Sequence, residues 1–270
     1  MINLLEAFKN ESKFTKKSLG QHFLTNRHIL DEIVHSSGAS PEENIIEIGP
    51  GCGVLTQLFA DKGAQVKALE IDAELTEFLK RYLFYYQNLE IINGDALTAD
   101  FSTFFPHKPV TFAGNLPYNL SVKIFERAAL SKVEIKSMVF MFQKEVADRI
   151  SASVNTKAYS SLSVFASYLF DIKKIRDIGG GNFWPNAKVM STVLKFTPKK
   201  HRQLSENEEG DFFNFLRRVF TQKRKTIKNN LRDISNIDDI ILSIGLTLNI
   251  RAEQLDVDTF IKLFRSINAQ

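Results

Sequence analysis

The chain has 270 residues, 44% of them hydrophobic, a single cysteine (Cys52) and a formal net charge of +4. That length allows one large domain with an appendage or two domains, and that apolar fraction excludes wholesale disorder. One cysteine excludes an intramolecular disulfide and a cysteine-based zinc cluster, the five histidines lack metal-ligand spacing, and no apolar run is long enough to span a membrane, so the expectation is a cytoplasmic protein without a metal.

Met1 to Lys17 mixes acids and bases, with lysines at Lys9, Lys13, Lys16 and Lys17, and lacks the apolar centre of a signal peptide. From Ile45 to about Ile150, short apolar runs alternate with segments of helical period, which is the pattern of βαβ units around a parallel sheet. Asn44 to Ile48 reads as a strand entering the turn Gly49-Pro50-Gly51-Cys52-Gly53; Val54, Leu55, Leu58 and Phe59 then share a helix face, and Gly63 ends that helix. Val66 to Ile71 is a second strand, and Asp72 is placed to cap a helix carrying Leu75, Phe78, Leu79, Tyr82 and Leu83. Leu89 to Ile92 ends at Asn93-Gly94-Asp95, and Val110 to Ala113 leads to Asn115, after which Ser121 opens a helix with Ile124, Phe125 and Ala128. Ser137 to Phe142 precedes a helix from about Lys144 to Ile150. Phe170 to Ile178 and Lys188 to Phe196 flank Gly179-Gly180-Gly181 as a closing hairpin, an antiparallel end on a parallel sheet.

Pro198 to Gly210 is polar and charged, so a boundary is expected there, with a larger domain over 1–198 and a small helical domain over 199–270. Ser205 to Glu208 has capping-box spacing, and Phe212, Phe215, Leu216, Val219 and Phe220 form a helical stripe. Seven bases and no acid lie between Arg217 and Arg232; Arg217, Arg218, Lys223, Arg224, Lys225 and Lys228 are candidate contacts to a phosphate backbone on a helix expected to span that stretch.

The glycine turn is spaced G-x-G-x-G with Glu47 two residues ahead, not the G-x-G-x-x-G of the dinucleotide fingerprint. Strand-end acids are placed as a nucleoside cofactor requires: Glu70 to accept from ribose hydroxyls, and Asp95 to accept from the exocyclic amine of an adenine. Asn115-Leu116-Pro117-Tyr118 is the sharpest element. The lone pair of an adenine N6 is delocalised into the ring, so the amine is a poor nucleophile until acceptors draw its protons out of plane. The Asn115 side-chain oxygen and a backbone carbonyl from Leu116 or Pro117 can supply both acceptors, Pro117 stiffens the turn, and Tyr118 offers a ring for stacking an extruded base.

These motifs resemble the ribosomal RNA adenine N6,N6-dimethyltransferases of the KsgA/RsmA type, nearly end to end. The likeness covers Gly20-Gln21-His22-Phe23-Leu24, the turn from Glu47 to Thr56, Glu70, Gly94 to Leu97, Asn115 to Ser121, Gln143 to Ala147, Phe183 to Ser191 and Arg224 to Leu231. It implies a Rossmann-like S-adenosylmethionine-dependent methyltransferase sheet of α/β class with a small C-terminal helical domain. It also implies a monomer that dimethylates two adjacent adenines near the 3′ end of small-subunit rRNA within a pre-30S particle. Carried over, Gln21, His22, Leu24, Gly49, Gly51, Glu70, Ile71, Asp95, Ala96 and Asn115 would hold S-adenosylmethionine. Asn115, Leu116, Pro117 and Tyr118 would face the target amine, with Phe183 stacking on the base opposite Tyr118. Two departures stand out: His22 occupies a position where many members have Asn, and Ala187 replaces the second proline of a Phe-x-Pro-x-Pro pattern.

Competing readings are a 23S rRNA adenine methyltransferase of the macrolide-resistance type, which generally lacks the Arg-Lys-Thr-x-x-Asn-Asn-Leu segment, and a non-catalytic RNA-binding assembly factor, which would have no need of Glu70, Asp95 and Asn115 together. A nicotinamide dehydrogenase is disfavoured by the glycine spacing, and would leave Asn115 to Tyr118 without a task.

Overall fold

A computed structural model describes residues 3–11 and 21–269; Lys13, Lys16, Lys17 and Gly20, named above, lie outside the described residues. The chain packs as two compact units, Met1–Ala147 with Lys173–Pro198, and Asp148–Ile172 with Lys199–Gln270.

The first unit opens with helix α1 (Leu4–Glu11), strand β1 (Phe23–Leu24) and helix α2 (Arg27–Ser37). Asn26 caps α2 by accepting from the backbone N–H groups of His28 and Ile29, and Gly38 closes it at φ 74°. Then β2 (Asn44–Ile48), α3 (Val54–Asp61), β3 (Gln65–Glu70), α4 (Ala73–Leu83), β4 (Leu89–Asn93), β5 (Val110–Asn115), α5 (Ser121–Ala129) and β6 (Ile135–Gln143) follow in order. Between β4 and β5 only a short 3-10 turn, Phe101–Thr103, replaces a helix. Helix α6 (Lys144–Ile150) leads out of this unit, and β7 (Phe170–Ile178) leads back into it, followed by β8 (Phe183–Trp184) and β9 (Ser191–Pro198).

Seven strands form one sheet in the order β4-β3-β2-β5-β6-β9-β7, and β1 pairs with β8 in a separate two-stranded ribbon. Strands β2 to β6 run parallel to their neighbours, whereas β9 pairs antiparallel with β6, which is the antiparallel end expected from the sequence. The central strand β2 is buried at every position, since parallel strands of this kind are covered on both faces. From β2 the chain steps outward to β3 and β4, then returns to β5 on the other side of β2. This reversal creates a crevice at the carboxyl ends of β2 and β5, where open α/β sheets bind ligands.

Helix α3 starts directly from the glycine turn and buries Leu55, Leu58 and Phe59, each contributing about 1.5–3 kcal/mol. Gly53, at its N-terminus, has φ 84°, and a Cβ there would sit 2.4 Å from Leu79 Cδ2, so Gly53→Ala would both strain the backbone and force the Leu79 side chain to move. Asp72 caps α4 through the N–H of Glu74. Helix α1 lays Leu4 and Phe8 into a cluster with Phe23, Cys52, Phe78 and Leu79, and thereby packs around the same turn.

The second unit holds α7 (Ser161–Leu169), α8 (Glu206–Val219), α9 (Ile227–Asn230), α10 (Ile237–Ser243) and α11 (Val257–Asn268). Its core is aromatic: Phe165 meets Phe213 at 4.8 Å between ring centroids, Tyr168 meets Phe212 at 5.5 Å, and Phe212 meets Phe264 at 5.5 Å. Tyr168 donates its hydroxyl to buried Glu209, which also accepts from Arg202. Residues 148–172, which the sequence reading groups with the larger domain, therefore pack with the helices beyond 199, because the apolar face of α7 finds its partners there. Ser205 and Glu208 form the capping box that starts α8.

Candidate active site

One pocket occupies the crevice at the β2–β5 reversal. The turn that floors it is braced by Gly49 N–H to the Leu69 carbonyl and Gly53 N–H to the Pro50 carbonyl, each 3.0 Å. The two strands approach so closely here that a Cβ on Gly114 would lie 2.3 Å from the Ile48 carbonyl oxygen. Gln21, His22 and Leu24 reach the pocket from around β1, Gly49 and Gly51 from the turn, and Glu70 and Ile71 from the end of β3. Asp95 and Ala96 enter after β4, and Asn115 ends β5 with Leu116, Pro117 and Tyr118 beside it. The structure thus brings together every residue that the sequence assigns to the cofactor.

Among the described residues no lysine or arginine lines this pocket, whereas three acids do: Glu47, Glu70 and Asp95. Glu70 is buried and its carboxylate accepts from the backbone N–H groups of Gly51 and Asp72, both at 3.0 Å. Burial raises its pKa above the usual carboxylate value, outweighing those two donors. Glu47, in the middle of β2, is 1% exposed, and burial pushes its pKa up to about 8, with Glu70 adding to the rise. The Thr56 hydroxyl lies close enough to oppose that rise but outside hydrogen-bonding geometry, and neither Glu47 Oε2 nor Thr56 Oγ1 has a partner among the described residues. Such orphaned buried groups are costly unless a ligand completes them. Asp95 turns one oxygen onto the N–H of Leu97 at 2.8 Å and leaves the other without a partner among the described residues.

Asn115 is oriented by its own amide: Nδ2 donates to the His22 carbonyl at 2.7 Å, which leaves Oδ1 as an unengaged acceptor among the described residues. Of the two candidate backbone acceptors, the Pro117 carbonyl is taken by the N–H of Leu120 at 3.0 Å, whereas the Leu116 carbonyl is not engaged among the described residues. Tyr118 is half-buried, which raises its pKa, and its hydroxyl is hydrogen-bonded to Ser191 Oγ at 2.8 Å.

Two expectations are corrected. Phe183 does not line the pocket; it pairs with Leu24 across the β1–β8 ribbon and its ring, 2% exposed, lies in the core with Ile29, Leu30 and Val193. The ring that faces Tyr118 is His22, 6.0 Å away between centroids and 23° from parallel. The acid-free stretch from Arg217 to Arg232 is not one helix either. Helix α8 stops at Val219, a turn follows, Thr226 bridges to Arg251, and α9 spans only Ile227–Asn230. Within it Arg218 pairs with Asp233, Lys228 with Asp238, and Lys223 with Glu253, while Arg217 bonds Asn214; Arg224, Lys225 and Arg232 are exposed and have no side-chain partner among the described residues. Three contributors went unassigned from sequence: Glu47 as a pocket acid, Ser191 as the anchor of Tyr118, and Asp72, which accepts from Gln21 at 3.0 Å. For Glu47 a signal existed, an acid inside the otherwise apolar run Ile45-Ile46-Glu47-Ile48.

Comparison with known proteins places this geometry. Among solved structures, a dimethyladenosine transferase from Plasmodium falciparum superposes with a TM-score of 0.79 at 28% identity, over 92% of this chain and 98% of that one. The 23S rRNA methyltransferase ErmE shares the fold, with a TM-score of 0.71 at 23% identity, over 91% of this chain and 99% of that one. The ribosomal RNA small subunit methyltransferase A of Hahella chejuensis is 33% identical, covering 92% of this chain and 91% of its own length. That of Streptococcus thermophilus is 37% identical, covering 92% and 90%. The family described as ribosomal RNA adenine dimethylase matches residues 12–269, and the chain belongs to that family.

Proposed function

We propose that this protein transfers methyl groups from S-adenosylmethionine to N6 of two adjacent adenosines near the 3′ end of small-subunit (16S) rRNA, giving N6,N6-dimethyladenosine during assembly of the 30S subunit. The observation that carries this reading is the Asn115 amide, held by the His22 carbonyl so that Oδ1 stays open, among the described residues, beside a pocket lined by three acids.

The lining fits the cofactor. A pyrophosphate would meet Glu47, Glu70 and Asp95 with no lysine or arginine among the described lining residues, whereas a sulfonium and an ammonium suit those acids. The orphaned Glu47 Oε2 would accept from the ammonium, Glu70 would receive the ribose hydroxyls, and the open oxygen of Asp95 would receive the adenine amine, with Ile71 and Ala96 against the ring. Gln21, Leu24, Gly49 and Gly51 would close the amino-acid end. When bound, the sulfonium supplies an electrophilic methyl carbon.

The chain's own part is placement and electrostatics. Asn115 Oδ1 and the Leu116 carbonyl would accept hydrogen bonds from the N6 amine, pull its lone pair out of conjugation and aim it, while Tyr118 stacks the extruded base. Nitrogen forms its new bond before losing a proton to solvent, so no formal general base is needed. Exposed Arg224 and Lys225 would meet phosphates. Incubation with tritiated S-adenosylmethionine and undermethylated small subunits, followed by mapping of the label, tests the reading; label on large-subunit rRNA alone would overturn it.

A further inference from the structure

Helix α1 carries none of the residues that line the pocket, yet its apolar face is laid against the turn that floors it. Leu4 and Phe8 stand one helical turn apart, point the same way and are both buried. The Phe8 ring meets three others edge-on: Phe23 at 5.2 Å between centroids, Phe78 at 5.5 Å and Trp184 at 6.2 Å. Phe23 in turn leans on the glycine turn, since a Cβ on Gly51 would lie 2.7 Å from Phe23 Cε1. Leu4 reaches the other end of the turn, 3.4 Å from where a Cβ on Gly53 would be. Between those two glycines Cys52 is buried in the same cluster. The helix is also fastened from outside. Lys9 Nζ lies 5.0 Å from the centroid of the Trp184 ring, and the Glu11 carboxylate accepts from Arg81 and from the Tyr82 hydroxyl, both on α4. A turn built on glycines has few side chains of its own to fix its shape and much backbone freedom to lose. Its shape is therefore set by what packs on it.

We propose that α1 is a clasp that sets the glycine turn for S-adenosylmethionine, with Phe8 as its positioning residue. The proposal rests on the methyl-transfer reading above. Phe8 does not line the pocket; it acts through Phe23, which both lines the pocket and leans on Gly51. A turn already fixed need not be ordered when the cofactor arrives, which lowers the cost of binding. The groups that face the target amine, Asn115 and Leu116, lie at the end of β5 and outside the α1 cluster. Loosening the clasp therefore acts on cofactor affinity and leaves turnover alone once the cofactor is bound.

The test uses the full-length chain and the variants Phe8→Ala and Phe8→Leu, with Phe101→Leu as a control that thins the core of the same unit away from the turn. In calorimetry, S-adenosylmethionine should bind about tenfold more weakly to Phe8→Ala, less so to Phe8→Leu, and as in the wild type to Phe101→Leu, although all three variants melt earlier. At saturating cofactor, kcat and the KM for undermethylated small subunits should stay near wild type in Phe8→Ala. Cys52, the single cysteine of the chain, gives a second readout. A thiol reagent should label it about tenfold faster in Phe8→Ala than in the wild type, because the turn opens locally, and S-adenosylmethionine should restore the protection. Unchanged cofactor affinity in Phe8→Ala would overturn the proposal. So would an equal loss of affinity in Phe101→Leu, which would reduce Phe8 to a contributor to overall stability. Should Phe8→Ala fail to fold, the contrast between Phe8→Leu and Phe101→Leu decides alone. If the wild-type protein labels no small-subunit adenine, it is the methyl-transfer reading that has failed, an outcome visible before any variant is compared.

Discussion

In the first unit Glu47, Glu70 and Asp95 line a pocket with no lysine or arginine among the described residues, whereas in the second unit Arg218, Lys223 and Lys228 sit at the surface with Asp233, Glu253 and Asp238 as partners. Paired surface charges contribute little to stability and have part of their field already cancelled. A buried acid without a partner is different, because it must either stay protonated or find its counter-charge in a ligand. Pairing, more than the number of charges, therefore separates residues available to a ligand from residues that hold the fold. By that measure Arg224, Lys225 and Arg232 are the available bases of the second unit's acid-free stretch among the described residues, and Glu47 is the pocket acid of the first unit with a buried oxygen left without a partner.

Glu47→Gln strains this contrast most. The folded-state pKa of Glu47 is raised from 4.5 to about 8, so its contribution to stability is full below the ordinary value and is lost as pH rises through about 8. Between pH 5 and pH 9 the unliganded wild type should lose roughly 3–5 kcal/mol that the Gln variant does not lose. Urea unfolding at both pH values checks it, and parallel behaviour of the two proteins would show that Glu47 is not held neutral. Next in size, Asn115→Ala should cut turnover at saturating cofactor by about 100-fold, the usual loss when one preorganised polar group is removed from a reacting centre. Binding of the ribosomal subunit should change little, and comparable turnover would remove Asn115 from the mechanism. Glu70→Ala should weaken S-adenosylmethionine by about 1–3 kcal/mol in calorimetry, and an unchanged affinity would count against the ribose assignment. The smallest effect belongs to the bases. Replacing Arg224 and Lys225 with Gln should flatten the salt dependence of subunit binding by roughly one unit of slope per lost phosphate contact, whereas Arg218→Gln and Lys228→Gln should leave the slope alone. Equal slopes for both sets would erase the distinction between paired and unpaired cations.

The sheet and the pocket floor were legible because each parallel strand is a short apolar run and each ends on its site residue: Glu70 after β3, Asp95 after β4 and Asn115 at the end of β5. Local spacing also exposed the Asp72 cap and the Ser205–Glu208 box. What escaped depends on residues far apart in the chain. Phe183 looks like a site residue in its own segment, and only its pairing with Leu24 commits it to the core. His22 faces Tyr118, and Tyr118 bonds Ser191, across separations that no periodicity reports. The basic stretch misled for a related reason: its apolar spacing suits a helix, but Thr226 bridges to Arg251 and the backbone N–H of Ile227 bonds the Ile250 carbonyl, which interrupts it. Helix α2 carried a readable period in Ile29, Leu30, Ile33 and Val34, overshadowed by the motifs on either side.

The chain passes between its units three times, after Ala147, after Ile172 and after Pro198. Neither unit is thus a cassette that a single cut can release. Stopping translation at Pro198 would leave α7 behind without α8, baring Phe165 and Tyr168 where Phe213 and Phe212 now cover them. Such a fragment would be sticky rather than merely smaller. Anyone seeking to graft the helical unit onto a relative must move two segments together, and a frameshift that removes α8 also strips the cover from α7, made before the chain's last crossing.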